Sequence, residues 1–108
     1  MLKKIPKKIK VNVGVGGPGG EKYILRLFVT GILPNSARAV VNIKAICEKY
    51  LKDRYELEII DIYQQPALAR TEQIIAIPVL IKKFPLPEVR LIGDLSDTEN
   101  VLKGLRLN

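Results

Sequence analysis

The stretch LFVTGILPNSARAV, Leu27–Val40, carries an apolar strand into a tight turn and out again as a helix. Asn35 or Ser36 is placed to cap that helix by accepting from its orphan N–H groups. Strand-to-helix junctions of this kind hold the two catalytic cysteines of many thiol oxidoreductases. This one holds Thr30, Gly31, Pro34, Asn35 and Ser36 and no sulfur. The turn is therefore expected to cap and shape a binding surface and to do no redox work.

Working outward, Tyr23–Val29 alternates with apolar residues on both sides, as a central strand covered on both faces does. After the turn, Val40, Ile43, Ile46, Cys47, Tyr50 and Leu51 share one helical face, and Arg38, Asn42, Glu48, Lys49 and Lys52 lie largely opposite. Cys47 sits on the core stripe and reads as a small buried hydrophobe rather than a reactive thiol. Tyr55–Tyr63 is a second two-sided strand, so strand, helix and strand form a parallel βαβ unit. Pro66 suits the first position of a short helix through about Glu72. Val79–Lys83 and Val89–Ile92 form a hairpin across the proline-rich FPLPE loop. Ser96 and Glu99 have capping-box spacing, and Val101, Leu102 and Leu105 give a last amphipathic helix. The order βαβαββα is that of a single α/β domain with a thioredoxin-like fold. Ile77–Pro78 stands just before the third strand, where such domains carry a cis-proline.

Composition narrows the function classes. The chain has 108 residues, 47% of them apolar, and a formal charge of +7. Lys3, Lys4, Lys7, Lys8 and Lys10 supply five of those charges, which leaves +2 on the rest. Residues 1–20, ending in the glycine-rich GVGGPGG, read as a flexible basic tail and linker, and 21–108 as the domain. No glycine-lysine-serine/threonine follows the glycines, so they do not read as a phosphate loop. A near-balanced domain with few aromatics is not expected to bind a specific nucleic acid. No apolar run is long enough to span a membrane, and a single cysteine forms no internal disulfide, which fits a cytoplasmic protein. With no histidine, a lone cysteine and no convincing carboxylate pair, neither a metal site, a cofactor nor a catalytic centre is expected.

The blocks LFVTGILPNSARAV, EIIDIYQQPALA, IIAIPVLIK, PLPEVRLIGDLSD and VLKGL, spread from Tyr23 to Leu107, resemble the KaiB family of clock proteins. The resemblance implies a non-enzymatic module that docks on the N-terminal lobe of a KaiC-like ATPase ring, recruits KaiA and displaces the sensor domain of a clock histidine kinase. A sensor or scaffold module bound to a kinase or stress-signalling partner outside a clock is the alternative. The resemblance places partner contacts at Arg38, Lys82 and Arg90, with Lys83 beside them in sequence and Tyr23 and Asp94 at recurring structural positions. It also implies a metamorphic chain: a monomer in the thioredoxin-like form, and a dimer or tetramer of order βαββααβ in which about Gln65–Leu107 is rebuilt. Pro78, Gly104 and Arg106 are the structural or fold-switch positions. Relatives in cyanobacterial clocks usually carry an acid where this chain has Arg106. A cation in the last turn of a helix interacts favourably with its dipole, so the thioredoxin-like form is expected at rest.

Overall fold

The computed structural model describes residues 21–107; the expectations for the tail, and for a domain boundary at residue 21, lie outside that range. The elements are β1 (Tyr23–Val29), α1 (Pro34–Tyr50), β2 (Tyr55–Asp61), α2 (Pro66–Thr71), β3 (Val79–Phe84), β4 (Val89–Ile92) and α3 (Thr98–Leu105). The four strands form one sheet in the order β2-β1-β3-β4. β1 pairs in parallel with β2, Leu27 opposite Ile59, and antiparallel with β3, Leu27 opposite Leu80. β4 completes the hairpin with Leu91 opposite Leu80. The order of elements and the two-sided strands are as the sequence predicts.

The period of two divides the side chains between two cores. Tyr23, Leu25, Leu27 and Val29 meet Ile43, Ile46 and Cys47 of α1 and Val101, Leu102 and Leu105 of α3 on one face. Phe28, Ile60, Val79 and Ile81 form a smaller cluster on the other face, joined by Leu68 and Ile74. α2 itself has no buried residue. The Ile77–Pro78 bond is cis, as are Phe84–Pro85 and Leu86–Pro87.

Both expected caps are corrected. The N-cap of α1 is Leu33, without a side-chain hydrogen bond, and Pro34 occupies the first turn, where a missing N–H costs nothing. Ser36 is buried and uses its Oγ to accept from the Thr30 backbone N–H at 3.0 Å, tying the turn to the helix. At α3 the cap is Asp97, whose Oδ1 accepts from Asn100 N–H at 3.1 Å, so Ser96 and Glu99 do not form a box. The register differs by one residue because Leu95 takes a left-handed conformation, φ 63°. β2 also stops at Asp61 rather than at Tyr63.

The end of α3 holds two residues that bear directly on this fold, Gly104 and Arg106. Gly104 lets the helix lie close on β4: a Cβ there would fall 2.7 Å from Leu91 Cδ2. Arg106 lies one residue past the helix, in the left-handed region at φ 61° and ψ 45°, with Leu107 N–H closing the end on Leu102 O at 2.8 Å. Glycine is the usual occupant of such a position. The helix dipole favours the arginine charge there, as expected, but the backbone conformation and the nearby Lys82 oppose it.

Lys82 faces the α1/α3 core and is only 1% exposed, so in this fold it presents no surface for a partner. Leu80, two residues back, is in that core, and strand alternation carries Lys82 to the same side. Its Nζ lies 6.0 Å from the centre of the Tyr23 ring, whose hydroxyl donates to Leu105 O at 2.9 Å. Burial, and then the Arg106 charge, push the Lys82 pKa below the ordinary lysine value. A lysine whose pKa is lowered by folding destabilises the fold wherever it is charged, and the penalty disappears above the unfolded-chain pKa. Lys82→Met should therefore raise stability by about 1 kcal/mol at pH 7. The gap to the native chain should narrow as the pH approaches about 10.5. Urea unfolding of the two proteins across that range checks the sign; a variant less stable at pH 7 would show that the buried ammonium supports the fold.

Candidate docking surface

The three cations expected to contact a partner do not converge. Arg38 projects from the first turns of α1, where Nε donates to Asp94 Oδ2 at 3.1 Å and the guanidinium also donates to Asn35 Oδ1. Lys82 is under α3, as described. Arg90 lies on the α2 side of the sheet, opposite Ile81 in register.

Arg90 belongs to a network centred on Glu72, just past the end of α2. The Glu72 carboxylate, 12% exposed, accepts from Arg26 Nη1 at 2.9 Å and from Lys83 Nζ at 3.2 Å, and lies 3.7 Å from Arg90 Nη2. Arg90 also donates to the main-chain oxygens of Glu72 at 2.6 Å and Gln73 at 3.3 Å. Arg26 bridges on to Glu58 at 3.0 Å, and Lys83 to Glu88 at 3.2 Å. One carboxylate thus ties α2 to β1, β3 and β4. Lys83, not Lys82, shares a site with Arg90. Sequence patterning carries no signal for this hub, because its members are brought together only by strand order.

A different feature marks the end of the sheet that carries the β1–α1 turn. β1 and β2 finish there, β3 begins there and β4 returns there. Ile32 and Leu33 follow β1, Tyr63 follows β2, Ile75 precedes β3 and Ile92 ends β4. These are five of the eight exposed large hydrophobic residues among those described. Successive strands are about 4.8 Å apart, so the four strand ends and the turns beside them set these residues out along one end of the sheet. Arg38 and Asp94 flank it, and Asn42 Nδ2 fastens the same loop by donating to Asp94 O at 2.8 Å. Hydrogen bonds from Ser96, and then from Arg38, hold the Asp94 carboxyl below the usual carboxylate range.

Asp61 fixes the geometry of this end. Its buried carboxylate accepts from Gly31 N–H at 3.3 Å and from Tyr63 N–H at 2.8 Å, clamping the turns that carry Ile32 and Tyr63. A carboxylate closing an apolar strand just before a turn was the available signal for it, and sequence reasoning passed over it. Beside the turn lies a cleft of about 270 Å³ with Val29, Thr30, Ala37, Val40, Lys44 and Ile59 among its walls. These side chains supply no nucleophile–base pair. Cys47 is buried, and burial, and then Glu48, push its thiol up to about 12, so it is a poor source of thiolate at neutral pH. The described residues hold no group of side chains that could bind a metal ion and no helix able to cross a membrane.

Removing the hub carboxylate leaves only Glu58 and Glu88 to answer the three charges of Arg26, Lys83 and Arg90 in a partly dry site. Glu72→Gln should lower stability by about 2 kcal/mol. Amide hydrogen exchange should accelerate over Pro66–Pro78 more than over β1 and α1. Exchange unchanged in that segment would show that α2 is held by its apolar contacts instead.

Residues 26–107 match the KaiB domain family. The chain is 48% identical over 85 residues to the circadian clock protein KaiB3 of Synechocystis sp. (strain ATCC 27184 / PCC 6803 / Kazusa), covering 79% of this chain and 83% of the relative. It is 51% identical over 87 residues to the circadian clock oscillator protein KaiB of Prochlorococcus marinus subsp. pastoris, covering 81% of each. In fold it is similar to the N-terminal domain of Synechococcus elongatus SasA, with TM-score 0.64, 24% identity, and 87% and 92% of the two chains covered. It is likewise similar to chloroplastic thioredoxin z, with TM-score 0.68, 14% identity, and 81% and 79% covered. The fold is thioredoxin-like, and the sequence likeness over most of its length places the chain in the KaiB family.

Proposed function

We propose that this chain is a non-enzymatic, clock-type protein-binding module that docks on the N-terminal lobe of a KaiC-type ATPase ring through the strand-end surface. The observation that carries this reading is the β1–α1 turn. Where thiol oxidoreductases present a dithiol, this turn presents Ile32 and Leu33, held in place by Asp61 and Ser36 and flanked by Arg38. A rigid apolar row beside a cation is a surface for contact, since ordering it on binding costs little entropy. An acidic margin on the partner would be steered by Arg38. Arg90, expected as a second contact, serves the docking surface indirectly by holding α2 and the Ile75 loop. The clock names of its relatives support a role in a clock; the ring ATPase, and through it KaiA, are the partners that the family resemblance implies.

A second reading, a module working beside a histidine kinase, draws on shape. The SasA N-terminal domain shares this fold, and two domains of one shape can compete for one site. The fold change of the family is proposed here as well, over about Gln65–Leu107, with Pro78, Gly104 and Arg106 as the positions on which the two forms differ in demand. The working compartment proposed is the cytoplasm.

Pull-down from the source cell against KaiC-like ATPases and histidine kinases separates the two partners. With the ring ATPase, Ile32→Asp combined with Arg38→Glu should weaken binding at least about tenfold while leaving the melting temperature within a few degrees, because both side chains are exposed. Full affinity in the double variant would move the docking surface elsewhere on the domain.

A further inference from the structure

We propose that the cleft beside the β1–α1 turn binds a small amphiphilic monocarboxylate: a body the size of one aromatic ring, with its carboxylate on Lys44 and a hydroxyl or oxo group at the far end on Thr30. The site goes beyond the ring docking proposed above and does not depend on it. Three observations carry it.

The first is shape. The cleft measures about 270 Å³. That exceeds the ~150 Å³ of a cavity that takes benzene and falls just short of the about 300–1,000 Å³ of pockets for drug-sized ligands, so one ring with two small substituents is the size that fits. Val29 of β1 and Ile59 of β2 form one side, and Ala37, Val40 and Lys44, spaced three and four residues apart on one face of α1, form the other. The second observation is the Thr30 hydroxyl. Thr30 is a wall of the cleft and only 4% exposed. Its N–H donates to Ser36 Oγ at 3.0 Å, and its carbonyl accepts from Leu33 N–H at 3.3 Å. Its Oγ1, alone among the buried side-chain polar atoms described, has no hydrogen-bond partner. A buried hydroxyl without a partner is a standing cost, and a ligand group that pairs with it removes that cost. No hydrogen bond holds the rotamer, so turning the hydroxyl about χ1 toward the cleft breaks none.

The third is charge. Lys44 is half-buried and is the one charged side chain among the walls. It has no ion pair among the described residues: Glu48, one turn on, lies 3.9 Å from Lys52 and accepts from the Tyr55 hydroxyl at 2.8 Å. A cation over apolar walls that hold no acid selects an anion, and a single lysine without a backbone cradle suits a carboxylate better than a phosphate. The spacing sets the ligand's length. Lys44 stands two turns beyond Ser36, a rise of about 12 Å. Side chains on a helix lean toward its N-terminus, so the lysine covers about half of that rise, and a ring with polar groups at opposite ends spans the rest.

Amide chemical shifts of the full chain, titrated with para-hydroxybenzoate, benzoate and para-cresol, test the site. The hydroxybenzoate should bind saturably, with a Kd below about 1 mM and shifts centred on Val29, Thr30, Ala37, Lys44 and Ile59. Benzoate, which lacks the hydroxyl, and para-cresol, which lacks the carboxylate, should each bind at least about fivefold more weakly. Two variants assign the ends. Thr30→Val should reduce the hydroxybenzoate to benzoate's affinity or below while benzoate itself binds as before. Lys44→Met should weaken both acids at least about fivefold and leave para-cresol unchanged. Neither variant should melt below the native chain, since one removes an unpartnered hydroxyl and the other a half-buried charge. Absence of saturable shifts up to about 20 mM, shifts centred elsewhere, or a variant that affects all three ligands equally overturns the proposal. Should Thr30→Val fail to fold, the ranking of the three ligands and its change in Lys44→Met decide the matter. The measurement needs no ATPase or kinase, so its failure is distinct from failure of ring docking.

Discussion

The Glu72 carboxylate is the constraint on which the second half of the fold depends. It stands where the chain leaves α2 for β3, and it accepts from Arg26 on β1 and from Lys83 on β3 while Arg90 of β4 grips the adjacent main chain. α2 buries no residue of its own, so the hydrophobic effect alone holds it weakly through Leu68 and Ile74. What the carboxylate fixes is the path from α2 through Ile75 to the cis-proline at 78, and hence the position of one fifth of the apolar row. Asp61 does the same for the other side of that row. Two carboxylates with structural duties thus support an apolar row that itself contains no charge, with Arg38 paired to Asp94 at its edge and Arg90 among its supports.

Much of this was legible in the sequence. The period of two in Tyr23–Val29 and Tyr55–Asp61, and the period near 3.6 in the first helix, are strong because both faces of the strands and one face of the helix are buried. The caps were misread for a local reason. Ser, Asn and Asp compete for main-chain donors, and at 35–36 and 96–97 several of them stand together. Pro34 and the left-handed Leu95 decide the outcome, and neither announces itself by type. Lys82 and Lys83 pose a different difficulty. Adjacent strand residues face opposite sides, but Val79, Leu80 and Ile81 are all apolar, so the pattern does not say which lysine goes inward. The sheet decides it, by placing Leu80 in the larger core and thereby Lys82 beneath Arg106 and Lys83 beside Glu72.

The C-terminal third carries local terms of both signs. Asp97 caps α3, Gly104 lets it lie close on Leu91, and Val101, Leu102 and Leu105 anchor it in the core. Against these stand a left-handed arginine, a left-handed leucine and a buried ammonium, each a cost of about 1 kcal/mol or more. Such a segment sits closer to a balance between arrangements than β1, α1 and β2 do, which fits the fold change proposed for it and sets its resting form as the central issue.

That issue is resolved most directly by backbone chemical shifts of the full chain for residues 66–107. Helical shifts at 98–105, with strand shifts at 79–84 and 89–92, are expected in the free protein, and they would place the resting molecule in the thioredoxin-like form with its strand-end row assembled. Strand shifts at 101–106, in a particle of tetrameric mass, would contradict it.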